Sequence, residues 1–119
     1  MVHFNLGVCF YQKKMAAEAQ KEFQETLKFN PNDKDSHFNL GIIYYENKNY
    51  KDALQEFESS IRGNDKDIAS YYWIGKIYKE WRDYNKALES YKQALKIGPD
   101  VLEIKKAVEE VKNLQKGKK

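Results

Sequence analysis

Few residues in this 119-residue chain could do chemistry on their own: the thiol of Cys9, the imidazoles of His3 and His37, and the acidic clusters Asn32-Asp33-Lys34-Asp35 and Asn64-Asp65-Lys66-Asp67. One thiol and two imidazoles are zinc donors, but they fall short of the four ligands of a structural zinc site. The clusters suggest calcium until the loop pattern is applied, where Phe38 occupies the position that requires Gly. They read instead as helix caps. No Gly-rich phosphate loop, H-E-x-x-H or nucleophile-elbow pattern is present. Cys9 lies beside Phe10 on a packed helix side and reads as a small buried hydrophobe. His3 and His37 occupy equivalent positions with no paired acid or base in view, so packing is expected of them rather than proton transfer or ligation. The chain is expected not to be an enzyme, with no cofactor and no metal.

Composition narrows the classes further. With 33% charged, 41% hydrophobic and 14% aromatic residues, the chain is too rich in rings for disorder and too interrupted by charge for a membrane. Its longest apolar runs, such as Ile42 to Tyr45 and Tyr71 to Ile74, lie far below the roughly 18 residues of a spanning segment. A single Cys forms no internal disulfide, and the amino end carries neither a basic patch nor an apolar stretch, so a cytoplasmic setting is expected. The net charge of +3 is concentrated at the carboxy end, where from Asp100 onward six Lys face four acids. A nucleic-acid binder shows a basic stripe across its fold, and this chain shows a basic tail.

The elements that must hold these residues are set by an internal period of 34. Gly7, Gly41 and Gly75 keep that spacing, as do Leu6, Leu40 and Ile74, Ala19, Ala53 and Ala87, Phe10, Tyr44 and Tyr78, Phe23, Phe57 and Tyr91, and Leu27, Ile61 and Leu95. Within a copy, His37, Leu40, Gly41 and Tyr44 form one helical stripe, and Ala53, Leu54, Phe57 and Ile61 a second. Each copy therefore reads as two antiparallel helices. Breaks fall at Glu46-Asn47-Lys48-Asn49 within a copy, and at Asn30-Pro31-Asn32-Asp33, Gly63-Asn64-Asp65 and Gly98-Pro99-Asp100 between copies. A mid-helix Gly costs about 1 kcal/mol against Ala, so its recurrence opposite a recurring Ala predicts a close approach of two helices.

These residues resemble the tetratricopeptide repeat family, whose pattern is W-x2-L-G-x2-Y, then A-x3-F, then P. The copies read His3-x2-Leu6-Gly7-x2-Phe10, Ala19-x3-Phe23, Pro31; His37-x2-Leu40-Gly41-x2-Tyr44, Ala53-x3-Phe57; and Tyr71-x2-Ile74-Gly75-x2-Tyr78, Ala87-x3-Tyr91, Pro99. The resemblance implies an all-α, right-handed superhelical stack of three repeats at 1–33, 34–67 and 68–101. A carboxy-terminal capping helix over 100–116 and a basic tail at 117–119 complete the chain. The cap is read from Asp100 and Glu103 at capping-box spacing and from the stripe Val101, Ile104, Val108, Val111; Glu109 in the place of the recurring Gly argues against a fourth repeat. No capping helix precedes the first repeat, so the chain is expected to be the carboxy-terminal piece of a longer array.

The resemblance also implies that the first helix of each repeat lines a concave groove. Its columns are Phe4, Phe38, Tyr72; Asn5, Asn39, Trp73; Val8, Ile42, Lys76; and Tyr11, Tyr45, Lys79. The groove is expected to be apolar at one end, basic with an aromatic at the other, and to hold a peptide or helix of a partner protein. Trp73, Lys76 and Lys79 point to an aromatic or aliphatic anchor followed by Asp, Glu or a free carboxylate. One subgroup of the family clamps acidic chaperone tails with two Lys, two Asn and one Arg; the matching columns hold Phe4, Val8, Asn39, Ala69 and Trp73, and only Asn39 agrees. Two rival readings remain: self-association through residues 1–30, as a structural assembly element, and nucleic-acid binding through Trp73, Lys76, Lys79 and the Lys tail, the less favoured of the two.

Overall fold

The structure, a computed structural model, describes residues 9–63 and 66–117, with side chains from residue 17 on. Six α-helices and no strands occur among them: α1 (Cys9–Phe29), α2 (Lys34–Glu46), α3 (Tyr50–Gly63), α4 (Ile68–Glu80), α5 (Tyr84–Ile97) and α6 (Leu102–Gly117). The helices pack in chain order, α2 against α3 and α4 against α5 forming the two complete hairpins.

The recurring small residues do what their spacing predicts. A Cβ added to Gly41 would stand 2.7 Å from the Phe57 ring, and one added to Gly75 would stand 2.5 Å from the Tyr91 ring. Both rings are fully buried, as are Ala53 and Ala87 one turn before them. Each second helix thus drives a ring onto the bare backbone of its partner. One core gathers Ala53 and Phe57 with Ile74 and Ile77 of the next repeat. The other gathers Ala87, Tyr91 and Ala94 with Ile104, Ala107 and Val111 of α6.

The turns inside the two hairpins are built alike. Lys48 and Arg82 have φ of 64° and 63°. Their amides donate to Tyr45 O and Lys79 O at 2.9 Å, while those of Asn49 and Asp83 donate to Tyr44 O and Tyr78 O at 2.9 Å or less. This is the Schellman closure of a helix, made with a left-handed residue that is not Gly.

Two boundaries differ from the sequence expectation. The first repeat is not broken into two helices: α1 runs through residues 13–15, the counterparts of the Asn47–Asn49 turn. The reason is local, since Gln12-Lys13-Lys14-Met15-Ala16-Ala17 is a run of strong helix formers with none of the Asn that ends α2. The capping helix starts at Leu102, not Asp100, and ends at Gly117, inside the expected tail. Residues 98–101 form a turn in which the Val101 amide reaches Gly98 O, and Val101 O accepts the amides of Ile104 and Lys105 at 3.2 Å. Val101 thus takes the N-cap place, and the Asp100–Glu103 capping box does not form.

The α6 helix differs from the first helix of a repeat on its outer face. Its inner face buries Ile104, Ala107 and Val111, with Val101 and Val108 half-buried beside them. On the face where a further second helix would sit, Glu109 stands in the place of Gly41 and Gly75, and Lys112 in that of Tyr44 and Tyr78; both are exposed. No helix among the described residues is long and apolar enough to cross a membrane.

The candidate groove and its relatives

The described columns of the expected groove fall on α2 and α4, and Glu110 of α6 reaches α4 beside them. The Tyr45 ring packs edge-on against Trp73, with centroids 5.0 Å apart. Trp73 stacks on the buried Phe57 at 6.0 Å with planes 10° apart, which explains how so large a ring is held at the surface. Phe38 meets the same Phe57 edge-on at 5.6 Å, and Tyr72 adjoins Trp73 at 6.2 Å. Phe38, Asn39, Ile42, Tyr45, Tyr72, Trp73 and Lys76 are all half-buried, so the floor is aromatic and partly open. Of the other expected residues, Phe4, Asn5 and Val8 lie outside the described residues, as does the side chain of Tyr11.

The basic end differs from the expectation. Lys79 Nζ lies 3.3 Å from both carboxylate oxygens of Glu110 on α6, so its charge is already paired. Lys76 Nζ sits over three rings, 4.7 Å from the centroid of Trp73, 5.5 Å from Tyr72 and 5.7 Å from Tyr45. Burial, and next the neighbouring Lys79 charge, hold its pKa below the usual lysine value, against the opposing pull of Glu80, Glu110 and Glu103. Tyr45 is pushed up to about 12, first by burial and then by the Glu80 carboxylate, which also accepts its hydroxyl hydrogen bond. Burial also raises Tyr72, followed by Glu103 and Glu110. Of the two lysines expected to reach an acidic group of the ligand, Lys79 is bonded to Glu110 and Lys76 is enclosed by rings, with glutamates near both.

Glu80, Glu103 and Glu110 were missed because the columns were read from the three repeats alone. Carrying them one period further would have found one of the three, since Glu110 stands 34 positions beyond Lys76. His37 carries a second surprise. It is half-buried, but it has the acidic partner the sequence reading lacked: Nδ1 lies 2.7 Å from Glu56 Oε1 on α3, and Nε2 lies 2.8 Å from Pro31 O. It ties α2 to α3 and to the preceding turn, away from the groove. The capping reading of the acidic clusters holds at Asp67, while Asp33 stands at an N-cap position without capping a backbone amide. Asp67 Oδ1 accepts the Ser70 amide at 3.1 Å, and Asp33 sits at the N-cap of α2, where it accepts the Ser36 hydroxyl.

Family models of the tetratricopeptide repeat match residues 1–33, 22–55 and 68–101, which together span most of the chain. The chain belongs to the tetratricopeptide repeat family. Among solved structures, the first TPR of Spaghetti (RPAP3) bound to HSP90 peptide SRMEEVD matches with a TM-score of 0.81 at 15% identity, over 92% of this chain and 86% of that one. At that identity the likeness is one of fold. In all, 157 chains of solved structures match, and a fold so widely shared does not by itself assign a partner. No curated protein sequence matches the chain.

Proposed function

We propose that the chain is a non-catalytic protein-interaction module, an adaptor or scaffold in a cytoplasmic setting, that holds a peptide or helix of a partner protein in the groove along α2, α4 and α6. The observation that supports this reading is the continuous half-buried shelf of Phe38, Tyr45, Tyr72 and Trp73, with rings from two repeats in mutual contact. Aromatic anchors of this kind carry much of the energy of known interfaces. The RPAP3 structure, which holds an HSP90 peptide, gives the reading a precedent in the same fold. The acidic-tail clamp is disfavoured as the mode, because Ala69 and Trp73 stand where that clamp needs polar or basic side chains.

The test is capture of a partner with the intact chain, followed by binding to Trp73→Ala with its melting curve recorded in parallel. A loss of about tenfold or more in affinity is expected, since interface Trp truncations often cost 2 kcal/mol or more. Unchanged affinity in a folded variant removes the groove as the site. A second reading, self-association through residues 1–30, draws on Phe29, which ends α1 with 87% of its surface exposed. Sedimentation at rising concentration decides it: a strict monomer up to about millimolar, the range of weak affinities, ends that reading.

A further inference from the structure

We propose that the groove selects a cationic side chain on the partner segment, a lysine, methylated lysine or arginine, and that Lys76 keeps that place in the free chain. The inference rests on the groove reading above and adds the charge of the ligand. Three rings converge on one ammonium, all within the roughly 6 Å over which an aromatic face attracts a cation. Tyr45 comes from α2, Tyr72 and Trp73 from α4, so the cage exists only because two repeats are stacked. Its surroundings are acidic. Glu80, Glu103 and Glu110 all act on Lys76, while Lys79, the other cation acting there, is bonded to Glu110.

The occupant follows from that balance. A partner carboxylate would approach three glutamates, and of the two cations at the cage itself Lys79 is bonded to Glu110 and Lys76 is enclosed by rings. A neutral apolar group would cover the rings but leave the acidic rim unmatched. A partner cation satisfies both, taking the ring faces and the glutamates together. Lys76 reaches the cage from the same helix, three and four positions after Trp73 and Tyr72, by a flexible four-carbon stem that can swing its ammonium out to water. It fills the cage without closing it.

The experiment is selection of short random peptides displayed on phage against the full chain, with no partner assumed. Enrichment of Lys or Arg beside an apolar residue is expected. The selected peptide should lose at least about fivefold in affinity on Glu103→Lys/Glu110→Lys and gain about threefold on Lys76→Met, in line with an exposed cation–π contact. Melting curves accompany each variant, and Glu103→Gln/Glu110→Gln replaces the reversal if that one fails to fold. Enrichment of Asp or Glu, or of neutral apolar peptides indifferent to the glutamate variants, overturns the cationic ligand while the groove reading stands. Weaker binding by Lys76→Met overturns the place-holding role. If no peptide is selected, or the selected ones are insensitive to Trp73→Ala, both the inference and the groove reading fall.

Discussion

The second and third repeats share a skeleton and differ on both surfaces. On the convex side of the second, His37 bonds Glu56 and Gln24 Nε2 donates to the Tyr44 hydroxyl at 3.5 Å. One period later the same four places hold Tyr71, Ser90, Glu58 and Tyr78, and these line an open cleft of about 360 Å3. On the concave side the Asn39 and Ile42 positions become Trp73 and Lys76. The positions facing a partner helix are held to one solution by packing, as Gly41 on Phe57 and Gly75 on Tyr91 show. The positions facing solvent are free to diverge, so the proposed recognition residues fall where the period fails.

The largest expected effect breaks the comparison at its far end. The core of the second repeat is closed by α4, and that of the third by α6 alone. Truncation after Pro99 uncovers Tyr91 and Ala94 and removes Ile104 and Val111 from a buried core. By analogy with large-to-small core changes, a loss above about 4 kcal/mol follows, comparable with the whole stability of a small domain. Calorimetry and light scattering should report a lowered melting temperature and aggregation; an unchanged melt with monodisperse protein contradicts the capping role.

Next in size are the two glycines. Gly75→Ala and Gly41→Ala each push a methyl into a fully buried ring, and overpacking of this kind costs about 1–3 kcal/mol. The shorter distance at Tyr91 makes Gly75→Ala the costlier, as paired urea titrations would read. Equal or negligible losses would mean that the rings shift freely.

A smaller effect isolates the convex difference. His37→Ala gives up contacts to Glu56 and to Pro31 O and should cost about 1–2 kcal/mol. At the matching place in the third repeat, Tyr71→Phe removes only a hydroxyl at an open cleft and should stay within about 0.5 kcal/mol. If the two variants melt alike, the histidine tie is not what sets the repeats apart.

These cases mark what the chain's letters disclosed. The recurring Gly, Ala and ring positions foretold the hairpins and their close approach because burial leaves one acceptable volume per site. The run of helix formers at 12–17 stood in the sequence too, yet the 34-residue pattern outweighed it and a break was expected where α1 continues. In the groove, the ring column was legible as surface. The pairing of Lys79 with Glu110 was not, because it depends on where α6 docks rather than on any local pattern.

The smallest effect concerns what the repeats share. Lys48 and Arg82 hold left-handed backbone that disfavours an L side chain by about 1–2 kcal/mol, while Gly adopts it freely. Lys48→Gly and Arg82→Gly are each expected to stabilise the fold by about 0.5–1 kcal/mol, part of the gain being offset by greater freedom in the unfolded chain. Equal gains on thermal denaturation would mark the two turns as interchangeable, and a loss at either would show that its side chain makes a contact worth more than the strain.

Asp67 has a mechanical consequence. Its carboxylate accepts the Ser60 hydroxyl of α3 at 3.0 Å and, from α4, the Ser70 amide at 3.1 Å and hydroxyl at 2.6 Å. At the previous joint Asp33 has Ser36, but Thr26 in the place of Ser60 is exposed. Hydrogen bonds to a charged group are worth about 1.5–3 kcal/mol each, so the joint between the second and third repeats behaves as a clasp rather than a hinge. The span from α2 to α4 is thereby kept at one length before anything binds. A guest that bridges both helices meets a ruler, and is sorted by the distance between its own anchors as well as by their chemistry.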